Sequence, residues 1–174
     1  MEKNIVLIGF MGTGKSSIGI KLAEKLNMKF VDMDREIEKL TGMTVAELFR
    51  RHGEIRFRSE EKLMAQKLSR QKNLVIATGG GVVLKEENIK ALRENGILIC
   101  LTAHPEDIFE RVRRKRNQRP LLKKNLQIED IEAMLKERAP FYAVADLEVN
   151  TSGREIDEVV EEIISYIKKL EAER

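Results

Sequence analysis

The sequence predicts an α/β fold, a five-stranded parallel sheet with helices on both faces. Three observations carry the prediction. Short apolar runs recur along the 174 residues, segments of helical period separate them, and the motifs with chemistry in them fall where the runs end. Strands joined through helices of about ten or more residues need crossover connections, so the economical sheet is parallel. In such sheets ligands gather at the carboxyl ends of the strands.

"NIVLI", residues 4–8, is the first strand candidate. "KSSIGIKLAEKLN" follows it with Ile18, Leu22 and Leu26 recurring every four residues, the period of a helix with one apolar face. "KFVD" is a short strand candidate and "REIEKL" a helix after it. In "TVAELFRRHG" Thr44 and Glu47 are spaced as a capping box and Gly53 is a stop, and the longer "EIRFRSEEKLMAQKLSR" comes next. "LVIAT" and "ILICL" are stronger strands, and "DLEVN" closes the set. The final helix, "REIDEVVEEIISYIKKLEAE", puts Ile156, Val159, Val160, Ile163, Ile164 and Ile167 on one face. Residues 115–127, "KRNQRPLLKKNLQ", have no clear period and read as a mobile excursion, a lid over about residues 112–127.

Composition narrows the class. A chain that is 42% hydrophobic and 35% charged is ordinary for a globular protein, and its length suits one domain over residues 1–174. The 32 lysines and arginines are interleaved with 29 acidic residues, so no nucleic-acid partner is expected. No segment approaches the length of apolar sequence that spans a membrane, and nothing at the N-terminus reads as a secretion signal. A cytoplasmic protein is expected, and a monomer, since no long exposed apolar stripe stands out. The lone Cys100 lies in an apolar run and reads as a buried, inert thiol. His52 and His104 lack metal-ligand spacing.

"GFMGTGKS" matches G-x-x-x-x-G-K-[ST] completely, with a strand before it and a helix after it. Its glycines let backbone N–H groups of Gly12, Thr13 and Gly14 turn inward, and the helix N-terminus adds partial positive charge, so the loop is built for polyphosphate. Lys15 would reach the β- and γ-phosphates, and the Ser16 hydroxyl, with Ser17 beside it, would meet Mg²⁺.

"FVDMD" ends the second strand candidate. Residues two apart in an extended chain point the same way, so Asp32 and Asp34 are expected to project together with Met33 opposed. One carboxylate would hold magnesium through water and the other would accept a proton from an attacking hydroxyl; alternatively Asp34 caps the helix that follows. "TGGG", residues 78–81, ends the "LVIA" strand, and three glycines there read either as close approach of backbone to a ligand or as a flexible turn. Arg58 in "FRSEE", Arg119 in "NQRPLL" and Arg138 in "KERAPFY" sit where guanidinium forks would grip a carboxylate or phosphate, against the plainer reading of solvated helix faces.

A phosphate loop alone does not separate kinases from GTPases and motor ATPases. The N-K-x-D guanine signature is missing from the sequence, and the chain is short for a motor. A small kinase remains. An acceptor that is already a phosphate needs arginines and no base, whereas an acidic residue beside the γ-phosphate suits a neutral hydroxyl.

Taken in order over nearly the whole chain, "GFMGTGKSS", "DMD", "GEIRFRSEE", "TGGG", "RPLL" and "RAPFY" resemble the shikimate kinase family. The resemblance implies the nucleoside monophosphate kinase fold with a closing lid, and transfer of the ATP γ-phosphoryl group to the 3-hydroxyl of shikimate on the route to aromatic amino acids. It implies that Asp34 holds the acceptor hydroxyls and is the base, that Arg58 and Arg138 clamp the carboxylate, that Glu61 orients Arg58, and that Gly79, Gly80 and Gly81 line the acceptor pocket. It gives Asp32 the magnesium water shell, Arg119 a reach from the lid to the phosphates, and Arg154 in "NTSGRE" an adenine contact. Ser17 stands where many members of the family have threonine, a change between hydroxyls. The rivals are a gluconate-type or nucleoside monophosphate kinase, which a panel of acceptors distinguishes, and a nucleotide-dependent binding switch, which would bind ATP without acceptor-dependent ADP release.

Overall fold

The computed structural model describes residues 2–114 and 125–174. Strand β1 (Asn4–Ile8) leads into α1 (Lys15–Leu26), β2 (Lys29–Asp32), α2 (Met33–Thr41) and α3 (Val45–Ser69). Strand β3 (Leu74–Ala77), a 3₁₀ turn (Val82–Leu84), α4 (Glu86–Glu94) and β4 (Gly96–Thr102) follow. Helices α5 (Pro105–Arg114) and α6 (Ile128–Tyr142), strand β5 (Leu147–Asn150) and α7 (Ile156–Ala172) complete the chain. Of the expected lid, residues 112–114 complete α5 and residues 125–127 lead into α6.

The five strands form one sheet in the order β2-β3-β1-β4-β5, and every pairing is parallel, as the crossover argument requires. Strand β1 is central and buried along its whole length, which is why "NIVLI" is continuously apolar rather than alternating. Its side chains still divide by a period of two. Val6 and Ile8 join Ile76, Leu98 and Cys100 in a core under α2 to α6, while Ile5 and Leu7 join Val75, Ile97 and Ile99 under α1 and α7.

Local signals explain the breaks. Thr44 caps α3 by accepting from Glu47 N–H at 3.1 Å. Gly53 is a kink inside α3 rather than its end: its φ of 80° and ψ of 175° turn the axis, and helical bonding resumes beyond it. Beyond that turn residues 54–69 run from the carboxyl ends of the strands, where Arg58 lies against Gly81, back to the start of β1, where Asn4 Nδ2 donates to Leu68 O at 3.5 Å. The α7 face is buried as expected from Val159 to Ile167, but Ile156 is 44% exposed. It stands at the first position of its helix, beside the cleft described below.

Register sets the position of the motifs. Asp32 pairs with Ala77, and Ala77 with Leu7, so β2, β3 and β1 end level with one another. The acidic motif, the glycine triplet and the phosphate loop therefore emerge side by side. They do so where β1 has strands reached by separate crossovers on its two sides, the place where open α/β sheets leave a crevice.

Candidate active site

The loop after β1 ends at Gly14, whose left-handed φ of 97° precedes the first helical residue, Lys15. No side chain caps α1, so its first N–H groups remain directed into the loop together with the positive end of the helix dipole. Lys15 folds over the loop, its Nζ donating to the carbonyls of Gly9 at 2.7 Å and Phe10 at 2.9 Å. The outer side of the loop is held as well: Arg111 Nη1 donates to Gly12 O at 2.7 Å and Thr151 Oγ1 to Thr13 O at 3.0 Å. In a trans peptide, pinning those carbonyls outward turns the N–H groups of Thr13 and Gly14 the other way.

Ser16 Oγ donates to Asp32 Oδ2 at 3.0 Å. The other oxygen, Asp32 Oδ1, accepts from Asp34 N–H at 3.0 Å and Arg35 N–H at 3.3 Å, so Asp32 is the N-cap of α2. This corrects two expectations. Asp32 and Asp34 do not share one extended face, because β2 stops at Asp32 and Met33 already begins the helix; and the cap is Asp32, not Asp34. Asp34 reaches the site by another route, from the first turn of α2. Its Oδ1 lies where a Cβ on Gly79 would come within 2.9 Å, so the missing side chain at Gly79 makes room for this carboxylate.

The Ser16 and Asp32 oxygens form a small set of hard donors at the mouth of the phosphate loop. Among the described residues no cluster of three acidic, histidine or cysteine side chains could hold a metal ion. A hydroxyl and one carboxylate fit Mg²⁺, which keeps much of its water and takes its remaining ligands from phosphate oxygens.

Helix α3 supplies the next group. Arg58 Nη1 donates to Glu61 Oε1 at 3.0 Å and its Nη2 to Glu54 Oε1 at 3.4 Å, and the guanidinium lies 5.4 Å from the centre of the Phe57 ring. Gly81 passes so close to this guanidinium that a Cβ there would collide with it. Glu61 is only 1% exposed, and burial pushes its carboxyl up to about 7, against the opposing pull of Arg58 and with a further push from the charge of Asp34. From α6, Arg138 Nη1 donates to Gly80 O at 2.9 Å and its guanidinium lies 5.9 Å from the centre of the Phe10 ring. Tyr142 donates to the same carbonyl at 2.8 Å.

A cleft of about 800 Å³ runs along the strand ends, lined by the phosphate loop, Asp32, Asp34 and Gly79–Gly80. Arg154 lines its far end, where it donates to Asn150 O at 3.1 Å and pairs with Glu162 at 3.4 Å. One cleft thus joins a polyphosphate cradle to a pocket bearing a carboxylate and, beside it, two guanidinium groups.

The model of the shikimate kinase family matches residues 11–168. The chain belongs to the shikimate kinase family. It is 55% identical to shikimate kinase from Pelotomaculum thermopropionicum over 167 residues, 96% of each chain, and 51% identical to that from Caldanaerobacter subterraneus subsp. tengcongensis over 95% of this chain and 97% of the other. Its structure is similar to that of shikimate kinase from Acinetobacter baumannii in complex with shikimate, with a TM-score of 0.91 and 35% identity over 96% of this chain and 93% of that one.

Of the residues singled out from the sequence, the phosphate loop, Asp32, Asp34, Arg58, Glu61, Gly79–Gly81 and Arg138 come together at the strand ends, and Arg154 lies across the cleft. Arg119 lies outside the described residues. The sequence reading of this shikimate kinase fold missed Arg111, Thr151 and Tyr142. Only Tyr142 carried a visible signal: it stands four residues after Arg138 and so shares its helix face.

Proposed function

We propose that the gathered residues divide between them the work of the shikimate kinase reaction, transfer of the γ-phosphoryl group of ATP to the 3-hydroxyl of shikimate to give shikimate 3-phosphate and ADP. The backbone N–H groups of Gly12, Thr13 and Gly14, with Lys15, Ser16 and Ser17, hold the ATP phosphates. Arg154 contacts the adenine end. Ser16 and, through water, Asp32 hold Mg²⁺, which when bound withdraws charge from the phosphate oxygens.

On the acceptor side, Arg58 and Arg138 grip the carboxylate of shikimate, with Glu61 orienting Arg58 and Gly79, Gly80 and Gly81 leaving room for the ring. Asp34 binds the hydroxyls and accepts the proton of the 3-hydroxyl as its oxygen bonds to the γ-phosphorus and the bond from that phosphorus to ADP breaks. Lys15 and the lid residue Arg119 balance the negative charge on the phosphoryl group in flight. The lid excludes the water that would otherwise hydrolyse ATP.

The observation that carries this reading is the approach of Asp34 to Gly79 in the same cleft as the phosphate loop. A carboxylate on that side of the cradle has work to do for a neutral hydroxyl and none for an acceptor already ionised. We read residues 1–174 as one kinase domain with a lid at about 112–127, acting as a monomer and in the cytoplasm, where ATP is held. Neither a membrane nor nucleic acid enters the reading; no described helix is long and apolar enough to cross a membrane.

ADP release from Mg·ATP tests the acceptor, with gluconate and a nucleoside monophosphate as controls. Shikimate alone should stimulate it strongly. Stimulation by a control instead, or by none of the three, would overturn the assignment, and sedimentation at working concentrations tests the monomer.

A further inference from the structure

Two donors on α6 converge on one carbonyl of the glycine triplet. Arg138 Nη1 reaches Gly80 O at 2.9 Å and Tyr142 OH reaches it at 2.8 Å. Arg138 has an obvious second employment, because a guanidinium beside the acceptor pocket turns to any carboxylate that enters. Tyr142 has none. It is 9% exposed, its ring sits in the core with Cys100 and Ile131, and burial pushes its phenol up to about 12, so it remains a neutral donor throughout the working range.

The carbonyl it holds belongs to the central peptide of the turn that Val82 N–H closes by donating to Gly79 O at 3.2 Å, a bond that holds the ends of the turn and leaves the orientation of that central plane open. Gly80 and Gly81 lack side chains that would resist rotation of the plane between them. No described peptide is cis, so the Gly81 N–H points opposite the Gly80 carbonyl, and fixing one fixes the other. The same plane sets how Gly81 passes beneath Arg58, where there is no space to spare.

We infer that Tyr142 is a positioning residue of the acceptor pocket, holding the Gly80–Gly81 peptide in orientation when Arg138 leaves the Gly80 carbonyl for a bound carboxylate. The inference rests on the reading of Arg138 as a carboxylate clamp. Tyr142 touches neither substrate nor reacting atoms; it acts through the backbone.

The test is steady-state kinetics of Tyr142→Phe, Arg138→Lys and the double variant, varying shikimate and ATP separately. Phenylalanine fills the same volume and leaves Gly80 O its Arg138 donor in the free protein, so the fold is retained, which thermal unfolding checks. Tyr142→Phe should raise the shikimate KM about five- to tenfold, as expected for losing one buried hydrogen bond, while the ATP KM stays within about twofold. The Gly81 amide resonance should shift in the free variant while that of Gly14 stays in place, a signature that a general loss of stability does not produce. An unchanged shikimate KM in Tyr142→Phe alongside a raised one in Arg138→Lys would overturn the role of Tyr142 and leave the clamp standing. No change in either variant would overturn the clamp reading itself, and equal shifts in both KM values for Tyr142→Phe would reduce the tyrosine to a structural part of the core.

Discussion

Glu61 anchors Arg58 at 3.0 Å from a position that is 1% exposed. The carboxylate is thus out of water and hydrogen-bonded to one guanidinium, with the charge of Arg138 a weaker second influence; its second oxygen, Oε2, has no hydrogen-bond partner among the described residues. Burial raises its carboxyl from the ordinary 4.5 to about 7, more than Arg58 lowers it.

The sign of the pH dependence follows. A raised value in the folded state means that folding retains a proton the unfolded chain has lost, so the contribution of Glu61 is most favourable below about pH 4.5, declines as pH rises to about 7 and is flat above. Glu61→Gln removes this slope. Relative to the parent, the variant should gain up to about 3 kcal/mol of stability between pH 4.5 and 8. Denaturant unfolding at the two values checks it; a constant difference would mean that Glu61 titrates as an ordinary carboxyl. The same variant should raise the shikimate KM and spare that of ATP, because Arg58 loses its ionic anchor.

Arg138→Lys keeps the positive charge and removes the fork. The shikimate KM should rise about tenfold to a hundredfold, the range of a lost charged hydrogen bond, while the ATP KM stays within about twofold. Initial rates with each substrate varied in turn measure both. Equal weakening of the two would argue against a carboxylate clamp.

Asp32 has two duties that substitution can separate. Asparagine retains the oxygen that caps α2 but not the charge near Ser16, whereas alanine loses both. Asp32→Asn should keep its stability to within about 0.5 kcal/mol, and Asp32→Ala should lose about 1 kcal/mol. Both should need more Mg²⁺ for half-maximal rate, as should Ser16→Ala. Magnesium titrations at fixed ATP, paired with thermal unfolding, read the two effects independently; an unchanged Mg²⁺ demand in all three would remove these residues from the metal site.

Gly81→Ala places a methyl group against the Arg58 guanidinium. The side chain is long and its charged end can swing away, so the protein should fold, but with Arg58 displaced from the pocket. Shikimate binding measured by calorimetry should weaken about tenfold or more, with nucleotide binding intact. Undiminished shikimate affinity would show that Arg58 is not needed where it stands.

The fold was legible because its signals are local. "NIVLI" and "ILICL" read as strands, and Thr44 marked a helix start from its own chemistry, whereas Gly53, read as a stop, only kinks a helix that continues. The Asp32–Asp34 geometry was misread for a reason equally local: a strand that ends on its own N-cap residue switches from a period of two to a helical period within one residue, and Met33 gives no warning of it. Arg58, Glu61 and Arg138 could be picked out by their company in short motifs, yet nothing in α3 or α6 states that Arg58 lies against Gly81 or that Arg138 reaches Gly80. Arg111 and Thr151 were invisible because each acts through a backbone carbonyl of the phosphate loop, a contact that leaves no motif.

Asp34 is the group proposed to take the hydroxyl proton. Asp34→Asn keeps the size and the helix while removing the basic oxygen, and a rapid-quench measurement of shikimate 3-phosphate formed in a single turnover, with ATP binding followed by titration, isolates the step. ATP should bind as tightly as in the parent while phosphoryl transfer slows by about a hundredfold or more. Transfer at near the parental rate would return Asp34 to a residue that only shapes the pocket.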